Sequence, residues 1–79
     1  MTGMNEQIHI GAMIRNELAR QGRSVHWLAD ELHTDRSNMY RILKKPYMDT
    51  DMLRRISLCL NHNFFAELFE TTSRLLKTR

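Results

Sequence analysis

Seventy-nine residues suffice for one small domain and are too few for two, and folding at this size buries only about 60% of the surface of the unfolded chain. A composition of 42% hydrophobic and 27% charged residues argues against disorder, while a single Cys excludes an internal disulfide and a zinc ribbon or finger. Twelve Lys and Arg against nine Asp and Glu leave a net charge of +3, an excess that matters only if it is concentrated.

No run of about 18 apolar residues occurs, so no membrane span is expected. The N-terminus lacks a basic region followed by an apolar stretch, so no signal peptide is expected either. The expectation is a small, reduced, cytoplasmic module. Residues 1–7 are polar, carry Gly3 and read as a flexible tail; residues 8–79 read as one domain.

From Ile8 onward, Ile10, Ile14 and Leu18 fall at helical spacing with Met13 beside them, and Gly22 suits a left-handed stop. Ser24 is the expected N-cap of a second helix with the apolar face Val25, Leu28, Ala29 and Leu32. The pattern breaks at His33 and Thr34. Asp35 is a second N-cap, and Met39, Ile42 and Leu43 form the inner face of a third helix that Pro46 ends. After a loop through Tyr47 to Thr50, Thr50 and Asp51 start a fourth helix whose inner face is Leu53, Ile56 and Leu60. Asn63 caps a last helix carrying Phe65, Leu68, Phe69, Thr72, Leu75 and Leu76. Five helices and no strand pattern of useful length predict an all-α chain.

The positive charge is concentrated. Arg36, Arg41, Lys44 and Lys45 occur in ten residues without an acid, and Arg15, Arg20 and Arg23 form a second group near Glu17. A helix-turn-helix needs a small residue where its helices cross, and Ala29 supplies it. Leu28, Leu32, Met39 and Ile42 stand where the crossing needs apolar contacts. The turn needs a residue tolerant of positive φ, and His33 occupies that position. Arg36, Ser37, Asn38, Tyr40, Arg41 and Lys44 then face outward on the third helix, types suited to base edges and phosphates.

The run from Ser24 through Val25-His26-Trp27-Leu28-Ala29-Asp30-Glu31 to Leu32, followed by Asp35-Arg36-Ser37-Asn38-Met39-Tyr40-Arg41-Ile42, resembles the phage-repressor-like (XRE-type) helix-turn-helix family. The resemblance extends upstream to Ile10-Gly11 and Ile14-Arg15, and downstream to Leu53, Ile56-Ser57 and Leu60. It implies a five-helix lambda-repressor-like DNA-binding domain, usually dimeric, with the third helix in the major groove. It also implies base reading by Arg36, Ser37 and Arg41, and a phosphate contact at Ser24. Two positions depart from the family pattern: Val25 stands where many members carry Gln, and Trp27 where many carry Glu.

The residues themselves carry roles beside this resemblance. An Arg reaching a guanine edge discriminates by about 1–3 kcal/mol, and Arg36 and Arg41 are the candidates. Asn38 is divided between reading adenine and capping locally. Lys44 and Lys45, at a helix end, suit a phosphate, and Arg20 and Arg23 would extend the phosphate clamp. Tyr40 is divided between a phosphate hydrogen bond and packing, and Trp27 between core packing and a backbone contact. Taken alone, such a basic run is more often plain solvated surface; the helix-turn-helix context reverses those odds. The four His form no ligand-spaced pair, Cys59 reads as a core or boundary residue, and the six Met read as gap-fillers.

The last helix is more apolar than so small a core needs. Leu68, Phe69, Leu75 and Leu76 are therefore expected to make an isologous homodimer contact, setting two recognition helices about 34 Å apart on a palindromic operator. Two functions compete. One is a sequence-specific double-stranded-DNA-binding transcriptional regulator; the other is a protein-interaction module or DNA-binding antitoxin that meets a partner protein through residues 64–79. Paired carboxylates, a Gly-rich phosphate loop and a metal motif are all missing, so neither an enzyme nor a cofactor is expected.

Overall fold

A computed structural model describes residues 8–77; the expected tail at 1–7 and the last two residues lie outside the described region. Among the described residues there are five helices and no strand: α1 (Ile10–Gln21), α2 (Val25–Glu31), α3 (Arg36–Lys44), α4 (Thr50–Leu60) and α5 (Phe64–Lys77).

Four of the five starts are built by a short polar side chain that accepts from an unpaired N–H of the first turn. Ser24 Oγ accepts from Trp27 at 3.0 Å, Asp35 Oδ2 from Asn38 at 3.2 Å, and Asn63 Oδ1 from Ala66 at 3.1 Å. Asp49, in the expected loop, caps α4 by accepting from Met52 at 2.7 Å. At α1 the cap is a histidine, His9 Nδ1 accepting from Ala12 at 3.0 Å. Three ends share one device, a left-handed residue after the last turn. Gly22 (φ 71°), His33 (φ 55°) and Asn61 (φ 52°) occupy it, and the following N–H bonds back to Leu18, Ala29 and Ser57. The expected positive φ at His33 is present.

The core comprises Ile14 and Leu18 of α1, Leu28, Ala29 and Leu32 of the second segment, Met39 and Leu43 of α3, Leu53, Ile56 and Leu60 of α4, and Phe64. Ile10, Met13, Val25 and Ile42, also expected inside, are half-buried at its margin. α3 packs against both α1 and α2, which fixes its inner face and leaves the other free. α1 docks end-on against the last turn of α3. Its Ile10 and Gly11 N–H groups donate to the Pro46 and Lys45 carbonyls at 2.9 and 3.2 Å, and Arg15 donates to the Leu43 carbonyl. Unsatisfied groups at two helix ends thereby satisfy one another.

The sequence leaves the inner face of α5 unassigned among its many apolar residues. The fully buried aromatic is Phe64, while Phe65 is exposed. The inward stripe is Phe64, Leu68, Thr71 and Leu75.

Glu17, the one buried charged residue among those described, ties α1 to the α4–α5 turn. It accepts from Arg20 Nε at 2.9 Å and from Gln21 Nε2 at 2.7 Å, and Gln21 also donates to the Leu60 carbonyl at 2.9 Å. His62 lies between two carboxylates, 3.6 Å from Glu17 and 3.0 Å from Glu67. The Arg20 hydrogen bonds, aided by Gln21 and His62, outweigh burial and hold the Glu17 carboxyl at about 2, below its ordinary 4.5. A depressed carboxylate stabilises the fold above its ordinary pKa and loses that contribution as pH falls through the folded value. Between about pH 5 and pH 2 the fold should therefore lose about 1–2 kcal/mol through Glu17. That range is less than the full shift implies, because the Arg20 side chain is 69% exposed and its charge is screened. Urea titrations at both pH values should show Glu17→Gln removing this component of the acid sensitivity.

Candidate nucleic-acid interface

The outward face of α3 follows from which residues the core takes. Met39 and Leu43, one turn apart, are fully buried. The helical period then turns Arg36, Ser37, Tyr40, Arg41 and Lys44 to solvent, and all five are exposed. Lys45, just past the helix, is exposed as well. From residue 36 to 45 no acidic side chain interrupts this surface. The N-terminal end of α3 adds the positive pole of its macrodipole, against which the Asp35 cap sets one carboxylate.

Asn38 occupies a different place from its neighbours. It is half-buried, and its amide is engaged on both sides: Nδ2 donates to Thr34 Oγ1 at 3.1 Å, and Oδ1 accepts from Arg41. A relay thus runs from the α2–α3 turn through Asn38 to the Arg41 guanidinium. Both bonds are to side chains, so Asn38 does not cap the backbone locally; the helix cap is Asp35, and the consequence of the Asn38 bonds is to orient Arg41.

The α2 side of the surface is aromatic. The Tyr40 ring meets the exposed His26 edge-on, with centroids 5.8 Å apart. Trp27 is half-buried against the core, and the exposed Arg23 guanidinium lies 4.0 Å from its ring centroid. Arg23 is therefore held over an apolar plate beside the exposed Ser24 cap at the head of α2. Beyond α3, Lys45 sits 6.0 Å from the Tyr47 ring. Both residues line a cleft of about 210 Å³ with Arg41, floored by Ile42, Met48 and Met52.

Arg20 is not drawn to this surface. It is paired with Glu17 and lines a cleft with Glu67 and Glu70, between α1 and α5. The surface around α3 thus gathers Arg36, Ser37, Tyr40, Arg41, Lys44 and Lys45, with Arg23 and Ser24 at the head of α2 and Arg20 in another network.

Two cations have structural duties that the sequence did not reveal. Arg15 closes the α3 end through the Leu43 carbonyl, and Arg55 donates to the Leu32 carbonyl at 3.4 Å, closing the α2 end. Neither partner is within a few residues in sequence, so no local pattern announces them. Tyr47, in the loop after α3, is among the most exposed aromatics, and no sequence pattern marks it for this surface.

The remaining reactive side chains are accounted for locally. The four histidines serve as the α1 cap, the Tyr40 contact, the left-handed turn and the Glu17–Glu67 bridge. Cys59 is half-buried against the core, and burial pushes its thiol up, away from the reactive thiolate. Among the described residues, no three His, Cys, Asp or Glu converge as for a metal, and no helix is long and apolar enough to cross a membrane.

On the C-terminal helix, Phe69 and Leu76 are exposed, whereas Leu68 packs half-buried against the core and Leu75 is half-buried. Of the four residues expected at a dimer contact, two therefore face outward, and they are joined there by Phe65 and by Leu58 of α4. No protein-family model, curated protein or solved structure matches this chain.

Proposed function

We propose that this protein is a cytoplasmic, sequence-specific transcriptional regulator that binds double-stranded DNA as a homodimer on a palindromic operator. In this reading α2 and α3 form the helix-turn-helix of a phage-repressor-like (XRE-type) domain, and α3 enters the major groove. One observation carries it: a nine-residue helix, locked from behind by Met39 and Leu43, presents Arg36, Ser37, Tyr40, Arg41 and Lys44 to solvent with no acid among them. Such a helix is about 14 Å long and of a diameter that the major groove admits. Arg36 and Arg41 read base edges, Arg41 in the orientation that Asn38 gives it. Lys44, Lys45, Tyr40, Arg23 and Ser24 hold the phosphates on either side.

The test is selection from a randomised duplex pool at two salt concentrations. The expected result is an enriched palindrome whose binding weakens with salt. Arg36→Ala or Arg41→Ala should each cost about 1–3 kcal/mol on that site and relax one base position, whereas Lys44→Ala should weaken all sequences alike and lower the salt slope by about 1. No retention at low salt would overturn the reading.

A second reading, an interaction module or antitoxin that holds a protein partner through α5, is favoured by the exposed Phe65, Phe69 and Leu76. Stable 1:1 co-purification of another polypeptide, lost in Phe69→Glu, would select it.

A further inference from the structure

The loop after α3 is tied down at both ends. Where α3 stops, the Lys45 and Pro46 carbonyls accept from the Gly11 and Ile10 N–H groups of α1 at 3.2 and 2.9 Å. At the far end Asp49 caps α4, its Oδ1 accepting from the Met52 N–H at 2.7 Å. Between these anchors the loop walls a cleft of about 210 Å³, whose floor is Ile42 of α3, Met48 of the loop and Met52 of α4. All three are half-buried against the core. Walls held in this way need little reordering when a ligand enters, which is the usual condition of a small-molecule site.

Size, surface and charge together select the occupant. An apolar cavity of about 150 Å³ takes a benzene, so this cleft holds one ring and a short polar group but not two rings. The thioethers of Met48 and Met52 make favourable contacts with an aromatic ring, and Tyr47, 65% exposed, supplies an aromatic wall. Arg41 and Lys45 line the same cleft against a single carboxylate, Asp49, which the cap sets at the positive end of α4. Two cations against one carboxylate match a monoanion. Arg41 gives an Nη2 hydrogen to Asn38 Oδ1, and the other donors of its guanidinium suit the two oxygens of a carboxylate. The Lys45 ammonium lies 6.0 Å from the Tyr47 ring, at the edge of the same wall.

We propose that the cleft between α3 and α4 binds a small aromatic carboxylate, its single ring on the Ile42–Met48–Met52 floor beside Tyr47 and its carboxylate between Arg41 and Lys45. The site stands on the cleft alone. Its consequence rests on the proposed function: Arg41 and Lys45 are also DNA contacts there, so ligand and duplex exclude one another, and the ligand releases the DNA.

Benzoate is the probe, titrated at constant ionic strength into the full-length protein and followed by amide NMR. Shifts confined to residues 41–52 should saturate with a Kd of about 1 mM, the order that so small a ligand reaches in an open cleft. Acetate carries the charge without the ring, benzylamine the ring with the opposite charge, and each should bind at least tenfold more weakly. Tyr47→Ala and Lys45→Gln, both at exposed positions, should each weaken benzoate at least threefold and leave the remaining amide shifts in place. Shifts that do not saturate, that acetate or benzylamine reproduces, or that spread over the other basic side chains would each overturn the site, as would variants that bind benzoate unchanged. Duplex binding on the same samples separates the two readings. Saturating benzoate should weaken the duplex at least threefold. Bound benzoate with duplex affinity unchanged overturns the competition and leaves the cleft site standing, whereas a chain that binds benzoate but no duplex overturns the DNA reading alone.

Discussion

Gly11→Ala should destabilise the protein by about 2–3 kcal/mol or more, a range set by overpacking a rigid site. Helix propensity predicts the reverse. Gly within an α-helix is worse than Ala by about 1 kcal/mol, so on local grounds the substitution should help. Position 11, however, lies where α1 meets the last turn of α3. A Cβ there falls on the Leu43 carbonyl oxygen, with the Leu43 carbonyl carbon and the Lys45 oxygen each 2.7 Å away. All three are backbone atoms, so no side chain can swing clear. Relief requires α1 to move off α3, which loosens the Ile10–Pro46 and Gly11–Lys45 hydrogen bonds and the Arg15 contact to Leu43. Urea unfolding followed by circular dichroism decides the sign. Asn16→Ala, at an exposed position of the same helix, is the control and should be neutral or slightly stabilising. A gain from Gly11→Ala equal to that control would mean that α1 and α3 do not approach as closely as described. The same variant should also weaken any ligand of the α3 surface, because α1 braces that helix from behind.

The second large effect separates two adjacent phenylalanines. Phe64→Ala should cost about 3–5 kcal/mol, the range for deleting a fully buried ring. A single core of this size rarely supplies more than about 3–5 kcal/mol in total, so the variant should be largely unfolded at room temperature. Phe65→Ala removes a ring of the same size that is 38% exposed, and the folded monomer should tolerate it far better. If both substitutions destabilised the monomer equally, the phase of α5 would be wrong by one residue, and the outward stripe with it. Far-UV ellipticity and the urea midpoint of each variant are sufficient measurements.

The helix boundaries were legible because caps and stops act over three to five residues. Ser24, Asp35 and Asn63 accept from N–H groups three residues ahead, and Gly22 and His33 turn the chain through their own φ. The outward face of α3 was legible too. Once Met39 and Leu43 are taken as inner, a period of 3.6 residues assigns the rest, and Arg36, Ser37, Tyr40, Arg41 and Lys44 come out exposed as expected. The fifth helix read less well. Its two apolar stripes are adjacent and nearly equal in strength, so periodicity alone could not rank the one containing Phe64 above the one containing Phe65.

Two local outcomes stayed hidden as well, because helical spacing does not say which of several near neighbours a polar side chain takes. Asn38 and Arg41 look equally outward in sequence, yet the hydroxyl of Thr34 draws the Asn38 amide inward and leaves it holding Arg41. Arg20 reads as one of a basic trio, yet Glu17, made costly to bury, holds it on another side of the molecule.

The sequence by itself determined five helices, their caps, an apolar interior and a basic third helix, because each depends on neighbours within about two turns. Only the tertiary structure decided which of two apolar faces of α5 closes the core, why position 11 has no side chain, and which cations are free to meet a ligand. Those outcomes depend on contacts such as Arg15 with Leu43 and Gln21 with Leu60, 28 and 39 residues apart. Their partners are brought together only by the packing of helices, which no local period encodes.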